Sequence, residues 1–165
     1  MIKIYTDGSC QNNPGKGGWA AIIIDEHGKR VLAGGEENTT NNRMEMMAAI
    51  KGLEMVDNGS NVLVFSDSQY LVYTMTKGWK KRVNQDLWER LDVLTGKCQI
   101  QWKWIRGHDG DPLNEEADLL AGKEAGSCTC TASGGCCAAT APSSRRVPTI
   151  STPPHPAFTP QRRSS

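Results

Sequence analysis

Apolar and polar positions alternate from the start of the chain. Ile2, Ile4 and Thr6 interleave with Lys3 and Tyr5, which predicts a strand ending at Asp7. The stretch from Gly8 through Gly18 is rich in Gly and Asn and contains Asn13-Pro14, so it is expected to form turns. Trp19 to Ile24 predicts a second strand, Glu26 to Lys29 a hairpin turn, and Arg30 to about Glu37 a third, partly polar strand at a sheet edge. Thr39-Thr-Asn-Asn42 then caps a helix running to about Val56. Met44, Met47 and Ala48 line one side of it, and Ala49, Ile50 and Leu53 widen the apolar face, so this helix should be largely buried. Asn58-Gly59 ends that segment. Val62 to Phe65 is short and wholly apolar, as a buried parallel strand would be. A helix over Ser68–Thr76, a basic connector over Gly78–Arg82, an amphipathic helix over Asn84–Leu94 and a strand over Gln99–Ile105 follow. Gly107 to Gly110 is a loop, and Pro112 suits the first turn of a closing helix that reaches about Lys123. The order βββαβααβα predicts an α/β fold, a mixed sheet flanked by helices.

Composition divides the chain of 165 residues at Gly126. Beyond it Ser, Thr, Ala, Cys and Pro dominate without periodicity, and six of the eight prolines lie there. Residues 1–125 are therefore expected to form one domain and residues 126–165 a disordered tail. Cys128, Cys130, Cys136 and Cys137 of the tail lack the paired spacing of strong zinc sites. The first 126 residues carry 15 Lys and Arg against 18 Asp and Glu, so the folded part is slightly acidic. That charge does not advertise nucleic-acid binding, but a local excess of acid suits bound cations. With no membrane-length apolar run and no leader-like start, the expected setting is cytoplasmic, away from membranes.

Four acids stand where a catalyst could use them. Asp7 closes the first strand, Asp67 closes the apolar strand, Glu45 falls in the first turn of the first helix, and Asp118 lies on the closing helix. If the two strands are parallel neighbours, Asp7 and Asp67 meet beyond their carboxyl ends. Such a gathering is repulsive unless cations bind between the acids, and oxygen ligands select Mg²⁺ or Mn²⁺. Each acid also has a structural reading. Asp7-Gly8 fits a turn, Glu45 three residues after Asn42 fits a capping box, Asp67 fits an N-cap, and Asp118 fits a solvated helix surface.

The surrounding motifs choose between these readings. Tyr-Thr-Asp-Gly-Ser-Cys at 5–10, Thr-Thr-Asn-Asn-Arg-Met-Glu at 39–45, Ser-Asp-Ser-Gln-Tyr at 66–70 and Gly-His-Asp-Gly-Asp-Pro-Leu-Asn-Glu-Glu-Ala-Asp at 107–118 together resemble the ribonuclease HI family, the type 1 ribonucleases H, over about residues 1–125. The resemblance implies the ribonuclease H fold, with a five-stranded mixed sheet. It implies endonucleolytic hydrolysis of the RNA strand of RNA–DNA hybrids by two-metal-ion catalysis, leaving 5′-phosphate and 3′-hydroxyl ends. Asp7 would bridge two Mg²⁺ ions, with Mn²⁺ as a substitute. Asp118 would serve the ion at the water, and Glu45 and Asp67 the ion at the leaving group. His108 would assist proton transfer or product release, and its ordinary pKa near neutrality suits either role.

The same resemblance implies substrate contacts. Asn13, Asn41, Asn42 and Gln69 would meet the minor groove, with Cys10 lining that surface, and short amides can pair there with 2′-hydroxyls. Thr40 and Arg43 would help bind a DNA phosphate. The asparagines also suit capping and turns. This chain lacks the long basic protrusion of many members and keeps only Gly78 to Arg82. Trp79 could stack on the DNA while Lys80, Lys81 and Arg82 hold phosphates, and so small a cluster should bind hybrid more weakly. A solvated connector is the plainer reading of that segment. The expected form is a monomer whose partner is the hybrid. A non-catalytic hybrid-binding module is the alternative function, and another nuclease on the same fold would lack the Thr39–Glu45 segment paired with the Gly-His loop.

Overall fold

The computed structural model describes residues 1–107 and 109–126. The elements follow the expected order: β1 (Ile2–Cys10), β2 (Gly15–Asp25), β3 (Gly28–Thr39), α1 (Asn41–Glu54), β4 (Asn61–Ser66), α2 (Gln69–Lys77), α3 (Gln85–Thr95), β5 (Gln99–Trp104) and α4 (Pro112–Glu124). The sheet has five strands in the order β3-β2-β1-β4-β5. β1, β2 and β3 pair antiparallel, while β1–β4 and β4–β5 are parallel. The architecture is thus the five-stranded mixed sheet flanked by helices that the resemblance implies, with β3 at an edge. The segment from Ser127 on, with the disorder and zinc readings attached to it, lies outside the described residues, as does His108.

Strand alternation sends successive side chains to opposite faces, and each face has its own core. On one face Ile4, Ala21, Ile23, Val62 and Val64 pack against Met44, Met46, Ala49, Ile50 and Leu53 of α1, with Leu71 of α2 and Leu87, Trp88 and Leu91 of α3. On the other, Tyr5, Ala20, Ile22 and Phe65 pack against Ala117 and Ala121 of α4. Tyr5 and Phe65 stack there with ring centroids 4.5 Å apart.

Two expected strand boundaries are corrected, and two of the alternative structural readings of the acids are not met. β1 does not end at Asp7 but runs on to Cys10, and β2 begins at Gly15 rather than Trp19. The glycines taken for turns pair across this ladder, Gly17 with Cys10 and Gly18 with Ser9. At Gly18 the backbone of α4 comes so close that a Cβ would lie 2.2 Å from the Ala121 carbonyl oxygen, so the absence of side chains here serves packing. Next, α1 is capped by Thr40, whose Oγ1 accepts from Arg43 N–H, and not by a box between Asn42 and Glu45. Glu45 therefore sits in the second turn, pointing inward among buried neighbours. Finally, the N-cap of α2 is Ser68, whose Oγ accepts from Leu71 N–H, so Asp67 is not used as the cap.

Candidate active site

β1 and β4 lie side by side with Thr6 level with Ser66, which brings Asp7 and Asp67 to the same height at the carboxyl ends of two parallel strands. Asp7 is inside its strand and Asp67 is the first residue beyond its own. Glu45 arrives from α1. Gly8 makes that approach possible: a Cβ on it would lie 2.3 Å from Glu45 N and 2.5 Å from the Met44 carbonyl carbon. The bare Cα lets the helix backbone rest on the strand, next to the acid it must deliver. The Gly8 N–H donates to the Glu45 carboxylate.

Carboxylate oxygens of Asp7, Glu45 and Asp67 lie within 4.8 Å of one another. Asp7 and Glu45 are 4% and 5% exposed, so solvent screens them little. Burial pushes the Asp7 carboxyl up to about 8, helped by the charges of Asp67 and Asp118 and by a hydrogen bond with Asp67. Burial also pushes Glu45 well above the usual carboxylate range, with Asp7, Asp67 and Asp118 adding to it against the Gly8 N–H. Asp118, on α4, thus acts electrostatically on both acids although it stands outside the 4.8 Å group. The expected four-acid constellation comes together, with three members tight and Asp118 at its margin. A cavity of about 500 Å³ opens at the opposite end of β1 and β4 between Met1, Asp25, Arg30, Met55 and Asn61, and contains none of these acids.

The residues expected to meet substrate form a rim beside this centre. Asn13 Oδ1 accepts from Asn41 N–H at 3.0 Å, tying the β1–β2 loop to the start of α1. Asn13 itself is exposed. Asn42 and Gln69 are exposed, and Asn41 is half-buried. Cys10 is half-buried, its Sγ 3.3 Å from the Thr39 carbonyl oxygen. Two expected phosphate ligands are engaged within the protein. Arg43 makes a two-pronged pair with Asp86 at 3.0 and 2.8 Å, and Lys81 Nζ pairs with Asp92 at 2.6 Å. Lys80 and Arg82 are exposed. Trp79 is 48% exposed and meets Tyr73 edge-on, while Lys77 Nζ lies 3.7 Å over the Tyr73 ring. Sequence reasoning missed Tyr73 and Lys77, which helical spacing from the connector could have placed beside Trp79. It also missed the close approach at Gly8, because an Asp-Gly pair signals a turn.

A sequence model of the RNase H family matches residues 1–126. The chain belongs to the ribonuclease H family. A ribonuclease H of Thiobacillus denitrificans is 48% identical over 134 residues, taking in 73% of this chain and 90% of that one. A ribonuclease HI of Pseudomonas aeruginosa is 44% identical over 136 residues, with 74% and 92% covered. Among solved structures, LC11-RNase H1 in complex with RNA/DNA hybrid superposes with a TM-score of 0.64 at 25% identity, covering 77% of this chain and 98% of that one. This chain is accordingly an enzyme of the ribonuclease HI kind, a hydrolase of phosphodiester bonds. It is a form without the long basic protrusion, since only residues 78–84 separate α2 from α3.

The acids fit the divalent metal on which this family depends. One buried oxygen of Glu45, Oε2, has no hydrogen-bond partner among the described residues, and the three converging carboxylates offer only oxygen. A hard cation satisfies both conditions.

Proposed function

We propose that this protein hydrolyses the RNA strand of RNA–DNA hybrids endonucleolytically by two-metal-ion catalysis, leaving 5′-phosphate and 3′-hydroxyl ends. The observation that carries the reading is the convergence of Asp7, Glu45 and Asp67 within 4.8 Å at the ends of two parallel strands, in a chain of this family. Asp7 would contact two Mg²⁺ ions, Asp118 the one at the water, and Glu45 and Asp67 the one at the leaving group; Mn²⁺ would fit the same oxygens. When bound, the ions supply a water nucleophile at neutral pH and offset charge on the leaving oxygen.

The chain's own part is to hold the acids and the scissile strand still. β1 and β4 hold Asp7 and Asp67, and the helix resting on Gly8 holds Glu45. His108, next in sequence to Gly107, is assigned proton handling or product release. Across the rim, Asn13, Asn41, Asn42 and Gln69, with Cys10 beside them, suit the wide minor groove of an A-like duplex, where 2′-hydroxyls mark the RNA strand. Thr40 and Arg43 would take a DNA phosphate, Arg43 by exchanging its Asp86 partner. Trp79 offers a stacking surface, with Lys80 and Lys81 near phosphates.

The test is a comparison of labelled RNA–DNA hybrid, double-stranded RNA and double-stranded DNA, each with Mg²⁺ or with EDTA. The expected result is cutting of the hybrid's RNA alone, only with Mg²⁺, and with 3′-hydroxyl ends that a polymerase can extend. Equal cutting of all three duplexes would contradict the substrate assignment. Tight hybrid binding without cutting would favour the binding module.

A further inference from the structure

We propose that the exit of β5, from Trp104 to Gly107, sets where the Asp67 carboxylate lies, with Trp104 and Gly107 acting as positioning residues. The Trp104 indole N–H donates to the Asp67 carbonyl at 3.0 Å. One residue on, Ile105 N–H donates to the Ser66 carbonyl at 3.0 Å, so strand pairing reaches the residue just before Asp67. Ser66 Oγ accepts from Ser68 N–H at 3.1 Å. These bonds fix the backbone on both sides of Asp67, and only its side-chain torsions are left to place the carboxylate.

Gly107 limits those torsions. A Cβ on Gly107 would lie 2.6 Å from Asp67 Oδ2, and the three nearest atoms all belong to the Asp67 side chain. Gly107 is not among the glycines with positive φ, so the backbone there does not demand glycine. What demands it is the space that Oδ2 occupies. Gly8 is the instructive contrast, because a Cβ there meets the backbone of α1, which cannot turn aside. An added methyl at Gly107 is relieved by rotating the Asp67 carboxylate away. The cost therefore falls on the site rather than on the fold.

The inference rests on the reading of Asp67 as a metal-holding acid, and its test uses the full chain. Gly107→Ala and Trp104→Phe are each followed by thermal melting in EDTA, by calorimetric titration with Mn²⁺, and by steady-state cleavage of hybrid. Gly107→Ala is expected to melt within about 3 °C of the parent. Its Mn²⁺ affinity and its kcat should each fall about tenfold or more, the usual scale for groups that orient metal ligands. KM for hybrid should stay within about twofold, since the rim is untouched. Trp104→Phe removes the indole donor and should show the same pattern more weakly. Parent-like Mn²⁺ affinity and kcat in both variants would overturn the proposal. So would a Gly107→Ala chain melting more than about 8 °C low, because the methyl would then be displacing backbone. A parent chain that binds Mn²⁺ but cuts no hybrid would sink the functional reading instead, while the calorimetry would still test the placement.

Discussion

Asp7 is held in a setting that resists its own charge. Its carboxyl is buried beside two others and titrates near 8, whereas in an unfolded chain it would titrate near about 4. Between those values the native state keeps a proton that the unfolded state has released, so stability falls as pH rises through the window. Glu45, pushed the same way, adds to the slope. In EDTA the protein should therefore melt at a higher temperature at pH 5.5 than at pH 8.5. Mg²⁺ should restore more stability at the higher pH, and Asp7→Asn should flatten the EDTA slope. A melting temperature that climbs with pH in EDTA would contradict this account of the acids. At this scale all four acids were legible in the sequence through their flanking motifs. What was not legible is how they are held. Asp7-Gly8 signals a turn from composition alone, yet Gly8 is in a strand because α1 must touch it there. Trp104 and Gly107 carried no signal toward Asp67, since their contacts exist only once β5 lies beside β4.

The helices and strands came through from periodicity because burial on each face enforces it. The apolar run of β4 is flanked by parallel strands on both sides, and the continuous apolar face of α1 rests on the sheet. The misplaced boundaries share one cause. Local turn and capping preferences were outweighed by pairing between distant segments, as at Gly17 and Gly18, where glycines read as a loop are ladder partners of β1. Gly8→Ala should therefore be an element-scale lesion. Its methyl would meet helix backbone, and we expect a loss of about 2 kcal/mol or more in chemical denaturation, within the range of overpacked sites. The α2–α3 connector makes a second prediction. Lys80 is exposed whereas Lys81 is paired with Asp92. Lys80→Ala should weaken hybrid binding and reduce the salt slope of the affinity by about one, as one lost phosphate contact would. Lys81→Ala should change the slope less, and the reverse order would show that the Asp92 pair opens on binding.

Across the whole molecule, two cores on the two faces of one sheet hold the site between them. α1 delivers Glu45 from one face and α4 brings Asp118 from the other, with Asp7 and Asp67 at the strand ends. The fold class followed from element order alone. The meeting of the acids required knowing that β1 and β4 are adjacent and parallel, which the sequence supplied only through resemblance. The family match stops at residue 126. A chain ended at Gly126 should therefore keep its hybrid-cleavage rate within about threefold. A larger loss would assign the remaining segment a part in folding or binding.

The most direct test of the carboxylate site is the single-turnover rate of hybrid cleavage by Asp7→Asn in saturating Mg²⁺, set beside its melting temperature in EDTA. The substitution keeps the shape and removes the charge. The account predicts an unchanged or higher melting temperature with a rate lowered by about a thousandfold or more, as for loss of a principal electrostatic group. A folded Asp7→Asn chain that cuts the RNA strand at close to the parent rate would contradict it.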